Sequence, residues 1–257
     1  MPTPLSLRRV APDSVRNAVA SMTGAPLGGL LIAAALAAPA LAGGRTVGLA
    51  LALLVVAAQL AAIVVGLAAL TRAALGRPAR PLGVRVGLDE ARLAGSMALS
   101  GLFLALVLLV LGLVPMAVAG ATGFGPGGDF TVVPGTSLEQ AGWRIWVLLA
   151  LEIATVMIVL SLFARLLPAG PATLASGHVV SLAAVKWTRG SGLKPMAGLI
   201  LMLAPLVALI AWGLLGAPDA TWTDWVWAAV LGGVQAPLLV GYATALFRAA
   251  APQGYAP

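Results

Sequence analysis

From Val47 to Arg72 the chain reads VGLALALLVVAAQLAAIVVGLAALTR. Between Val47 and Leu70 no residue is charged, and Gln59 is the one polar side chain. At about 1.5 Å of rise per residue this stretch makes a helix of about 36 Å, enough to cross the roughly 30 Å hydrocarbon core of a bilayer. A helix on the surface of a soluble domain keeps one face polar, and this one keeps none. Arg72 then marks a boundary, because a guanidinium at mid-bilayer costs about 2.5–3.5 kcal/mol even on insertion scales.

The same pattern recurs on both sides. Apolar runs of spanning character cover Ala25–Ala42, Leu93–Gly120, Trp143–Leu167, Pro195–Gly216 and Trp225–Phe247. The first is short, contains Pro39 and ends on Ala40-Leu41-Ala42, the small-residue form of a signal-peptidase site. The long polar segment before it favours a retained span. Composition agrees: 61% of residues are hydrophobic, 9% are charged, and the mean hydropathy is +1.04. A water-soluble domain of this size has too little polar surface for such a chain. The expected fold is all-α, a polytopic integral membrane protein. One domain, residues 1–257, holds six transmembrane helices in three hairpins with short cytoplasmic interfacial helices. Residues 1–24 form a cytoplasmic N-terminal segment and residues 249–257 a cytoplasmic tail.

Basic residues orient this arrangement. Arg8, Arg9 and Arg16 precede the first run, and Arg72, Arg77, Arg80, Arg85 and Arg92 lie between the second and third. Arg165, Lys186, Arg189 and Lys194 flank the fourth and fifth, and Arg248 follows the sixth, whereas the opposite side keeps Arg45 and Arg144. Positive residues stay on the cytoplasmic side. Trp143, Trp146, Trp212, Trp222, Trp225 and Trp227 fall near the opposite ends, where indole rings favour the membrane–water interface. Both signals put the two termini in the cytoplasm, and a bacterial inner membrane is the expected location.

Several function classes are excluded at this stage. With no cysteine and a single histidine, His178, there is no thiolate centre and no histidine metal cluster. The net charge of +7 is spread over the ends of apolar runs, which favours anionic lipid headgroups and argues against nucleic acid. Asp129, Glu139, Asp219 and Asp224 populate the outer loops, as solvated turns commonly do. The glycine-rich stretch Gly123–Gly128 lacks the Lys-Ser/Thr of a phosphate loop and reads as an outer turn. No cofactor is expected.

Three amide or carboxyl side chains lie inside the even-numbered runs. Gln59 precedes Arg72 by thirteen residues, Glu152 precedes Arg165 by thirteen, and Gln235 precedes Arg248 by thirteen. The segments Ser14–Ser21, Asp89–Gly95 and Ser181–Arg189, each before an odd run, share short lengths and mixed charge. Ser181 suits an N-cap and Gly190 a C-terminal glycine. Two readings stand: a surface helix plus a hairpin used three times, or apolar helices alike through composition alone. Glu152 is the acidic residue deepest in a run. It is either a proton or cation site joined by Gln59 and Gln235, or a neutral carboxyl that bonds between helices or sits in the hydrated outer leaflet. Gly24-Ala25-Pro26-Leu27-Gly28 has the small-xxx-small spacing that permits close helix approach, a spacing common in any chain this rich in alanine and glycine.

The segment from Arg165 to Pro205 is the most distinctive. Pro168 and Pro171 stop the fourth run from continuing, and Lys186, Trp187 and Arg189 suit an interfacial helix at anionic headgroups. Arg165-Leu166, then Pro171-Ala172-Thr173, then Trp187-Thr188-Arg189-Gly190 resembles the membrane-domain family fused to some bacterial glycerophosphoryl diester phosphodiesterases and its stand-alone relatives. The leucine that follows Trp in that family is missing here. Tyr242 to Arg248 is similar to the family's aromatic-plus-arginine exit. The resemblance implies a membrane module associated with lipid or envelope processes. It does not bring the phosphodiesterase activity, whose histidine and acidic metal ligands belong to a separate soluble domain.

The expected function is therefore a non-enzymatic membrane module, a scaffold or a lipid- or partner-binding protein. Arg165, Lys186, Trp187, Arg189 and Lys194 are its expected contacts to headgroups or to a protein partner. The alternative is a small transporter or channel around Glu152.

Overall fold

The computed structural model describes residues 6–41, 48–77, 84–121, 138–189, 191–214 and 221–252. Among these residues the regular structure is entirely helical, without a strand. The elements are α1 (Leu7–Gly24), α2 (Pro26–Leu41), α3 (Leu49–Ala74), α4 (Leu88–Ala121), α5 (Leu138–Leu166) and α6 (Ala169–Ser176). There follow α7 (Ala183–Trp187), α8 (Lys194–Met202), α9 (Ala204–Leu214), α10 (Thr221–Val230), a π-helical turn (Leu231–Gln235) and α11 (Ala236–Ala250).

Four helical stretches are long and apolar enough to cross a membrane: Leu49–Ala74, Leu88–Val118, Trp146–Ser176 and Thr223–Ala250. Two bent pairs pass the same test together, α1 with α2 at 86° and α8 with α9 at 49°, so the described residues hold four segments able to cross, or up to six if each bent pair is one span. Each bend has a proline beside it. Pro26 opens α2 and Pro205 lies in the first turn of α9, and neither can donate to the carbonyl four residues earlier. The π turn has a related cause. Pro237 removes another donor, and the turn before it widens so that the Ala236 amide donates to the Leu231 carbonyl.

The last helix is the hub. Every residue of α11 from Val240 to Phe247 is buried, and the helix packs on α1, α3, α6 and α8. Small residues let backbones touch. A Cβ at Gly241 would lie 2.6 Å from the Ala18 nitrogen, so α1 rests directly on the α11 backbone. Where α2 crosses α3, a Cβ at Gly28 would lie 2.8 Å from the Gly66 carbonyl oxygen. Ser14, Asn17 and Ser21 form the buried stripe of α1, while Val15, Val19 and Met22 are exposed on its other side. On α3, α4 and α5 the outward residues are large and aliphatic, among them Leu54, Leu106, Leu109 and Ile153. Such a belt needs an apolar surrounding.

Two local expectations change. Asp89–Gly95 is not a separate surface helix: it is the first part of α4, which continues through it without a break. Ser181 does not cap α7 through its side chain. Leu182 occupies the N-cap, and the Ser181 carbonyl accepts from the Ala184 amide. Gly190, Arg45, Arg80, Asp129, Asp219 and the 123–128 stretch lie outside the described residues, as do the side chains of Glu139, Trp143, Arg144 and Trp222.

Candidate functional site

The ends of α3, α5 and α11 and the starts of α4 and α8 meet at one basic end of the bundle. An α-helix leaves the carbonyls of its last turn without partners and partly negative, so cations gather there. Arg77 donates to the Leu174 and Ala175 carbonyls at 2.6 and 2.9 Å, closing the last turn of α6. Arg248 donates to the Ala74 carbonyl, the last of α3, at 3.0 Å and to Asn17 Oδ1 at 2.9 Å. Arg72 forms an ion pair with Glu90 Oε1, both side chains nearly out of solvent. Arg165 reaches the Gly192 carbonyl at 3.4 Å. Much of the arginine that marks this end in the sequence thus binds protein, helix to helix.

Beside these ties runs an apolar crevice of about 280 Å³ between α3, α4, α5, α6 and α11. Its α4 wall is Leu93, Ser96, Met97, Ser100, Gly101 and Leu104, a single helix face. Thr71 donates back to the Leu67 carbonyl at 2.7 Å, and Ser96 donates to the Val180 carbonyl. The Ser100 hydroxyl, also in the wall, is buried without a partner. Adjoining the start of α4, a second hollow of about 250 Å³ is lined by Arg85, Gly87, Leu88, Asp89, Glu90 and Arg92. Glu90 is 4% exposed, and while its Oε1 meets Arg72, its Oε2 has no partner.

The three intramembrane candidates occupy different surroundings. Glu152 is exposed on α5 and Gln59 half-buried on α3. Gln235 is buried, and its Nε2 donates to the Met202 carbonyl at 3.1 Å. That carbonyl sits in the break between α8 and α9, so the amide supplies the donor the broken helix lacks there. Gln235→Leu is expected to lower stability in detergent by about 1 kcal/mol, the usual net worth of one such bond. Unfolding titrations of the two proteins measure it.

The other expected contacts divide. Lys186, Arg189 and Lys194 are exposed, as are Leu182 and Leu193 between and beside them. Trp187 turns inward: its ring lies 6.4 Å from that of Phe247 at an angle of 46°. His178 is exposed near the end of α6, its Nδ1 3.3 Å from the Ser176 carbonyl. The segment around it is fixed by Thr173, whose hydroxyl accepts from the Val180 amide at 3.0 Å. Sequence reasoning missed Glu90. Its one signal was position: it precedes Leu93 by three residues, on the face that α4 turns inward.

No family model, no curated protein and no solved structure matches this chain. Its class is the one its helices define, an all-helical protein with four to six segments able to cross a membrane.

Proposed function

We propose that this chain is a non-enzymatic module of a bacterial cytoplasmic membrane that binds anionic lipid headgroups at its basic end and holds a protein partner or lipid there. The observation that carries this reading is the 182–194 segment, where exposed Lys186 and Arg189 lie between exposed Leu182 and Leu193, and exposed Lys194 follows. Cationic and aliphatic side chains on one short stretch suit a bilayer surface, the aliphatic ones entering the acyl boundary and the cations meeting phosphate. In this reading the basic end is cytoplasmic, α1 is the surface segment before a first crossing made by α2, and the bent pair α8–α9 is one crossing, giving six spans in three hairpins. The arginine ties support the repeat: Arg72 reaches Glu90 before the third span, Arg165 reaches Gly192 before the fifth, and Arg248 reaches Asn17 before the first.

The test uses the full chain in mild detergent titrated with phosphatidylglycerol or phosphatidylcholine, with bound lipid counted by native mass spectrometry. The wild type is expected to favour phosphatidylglycerol, and the combined Lys186→Gln, Arg189→Gln and Lys194→Gln variant to lose most of that preference. Equal binding of both lipids by the wild type overturns the reading. A proton or cation flux in proteoliposomes that falls in Glu152→Gln would replace it with a transporter.

A further inference from the structure

We propose that the crevice along α4 and the hollow at its start are two ends of one site for a single zwitterionic phospholipid of the phosphatidylethanolamine class. The inference rests on the reading of the chain as a lipid-binding membrane module, but it concerns a different place and a different headgroup from the 182–194 segment.

The two spaces lie on one helix face. At 100° per residue, Asp89 and Glu90 project from the same side of α4 as Leu93, Met97, Ser100 and Leu104. From Leu93 to Leu104 the wall rises about 16 Å, close to the roughly 15 Å hydrocarbon depth of one leaflet. The wall is open where Met97 and Gly101 are exposed, so a chain enters sideways from the bilayer. Its lining is apolar apart from Thr71, Ser96 and Ser100, and the first two of these hydroxyls are already bonded within the protein.

The upper hollow selects the headgroup. Its charged side chains are Arg85, Arg92, Asp89 and Glu90, two cations and two anions, which complements a headgroup that carries one charge of each sign. Arg92 and Asp89 are loosely paired at 3.5 Å and only partly buried, which lets the Arg92 guanidinium turn to phosphate with Arg85. Glu90 Oε2, buried and without a partner, needs a donor. An ammonium group supplies three, and a choline supplies none. Gly87 keeps the centre open: a Cβ there would lie 3.6 Å from Glu90 Oε2 and 4.0 Å from Arg85 Nε.

Two variants fill the site without removing a charge or a packed side chain. Gly87→Leu occupies the headgroup hollow, and Gly101→Phe occupies the crevice, where a Cβ meets nothing within 4 Å. The full chain is purified in mild detergent from a membrane extract that contains phosphatidylethanolamine and phosphatidylglycerol. Native mass spectrometry then reads the retained lipid. The wild type is expected to keep one phosphatidylethanolamine through delipidating washes, and each variant to lose at least tenfold of it at unchanged Tm. On readdition, phosphatidylcholine of the same chains is expected to bind at least tenfold more weakly. Three results overturn the proposal: equal retention by the variants, phosphatidylcholine binding as well as phosphatidylethanolamine, or phosphatidylglycerol as the lipid retained. None of these touches the 182–194 reading, which in the lipid titration fails if the triple glutamine variant keeps its preference for phosphatidylglycerol or if the wild type shows none.

Discussion

Replacing Glu90 by leucine is expected to cost about 3–5 kcal/mol of stability, the loss that follows when one member of a buried ion pair is deleted. Arg72, nearly out of solvent, then keeps its charge but loses its bonded carboxylate. The nearby Arg85 and Arg77 add repulsion, against which Asp89 then stands alone. The second half of the expectation is sharper. Removing both charges together, Arg72→Leu with Glu90→Leu, restores most of the lost stability, because two apolar side chains at this depth need no pairing. A double-mutant cycle on unfolding in detergent measures the coupling. If the double variant is as unstable as Glu90→Leu alone, the pair does not act as a unit.

Gly241→Val is the other severe change. The new Cβ would stand 2.6 Å from the Ala18 nitrogen and 3.0 Å from its Cα, and backbone cannot swing aside as a side chain can. Overpacking of this kind costs about 1–3 kcal/mol when neighbours relax, and here the relaxation open to the protein is to lift α1 from α11. The expected result is a lower Tm together with faster trypsin cleavage after Arg8, Arg9 and Arg16, which lie on α1. Gly233→Ala is the matched control, since a Cβ there meets nothing within 4 Å. It is expected to leave both measurements unchanged.

Much of the architecture was legible from residue order. Helices able to cross a bilayer announce themselves by length without charge, as Val47–Leu70 does, because hydrocarbon tolerates nothing else. The basic end was equally plain, since arginines collect where the apolar runs stop. What each arginine touches was not. Arg77 and Arg248 meet carbonyls about a hundred residues or more away in the chain, and nothing local distinguishes a guanidinium bound to a helix end from one bound to phosphate. Gln235 shows the same limit from inside the bundle. Its sequence position marked it as an expensive polar residue, while its partner, the Met202 carbonyl, lies at the end of a different helix, α8. The bends themselves had visible causes in Pro26 and Pro205, but their angles depend on packing. Glu90 was hidden by its neighbours. Set among Arg85, Asp89 and Arg92, it read as part of a solvated juxtamembrane stretch, and its burial depends on α3 ending beside the start of α4.

The docking of α1 on α11 has a consequence for how the protein is made. Membrane helices are delivered in order from the ribosome, yet the groove that receives Ser14, Asn17 and Ser21 is built by α11, which emerges after every other described helix. Until then the first helix has a polar stripe with no partner and an aliphatic stripe, Val15, Val19 and Met22, suited to float at the bilayer surface. Arg248 reaches Asn17 only after α11 has formed. α1 and α11 therefore act as a clasp that fastens only when α11 is in place, and a chain that stalls before α11 leaves α1 loose and open to proteases.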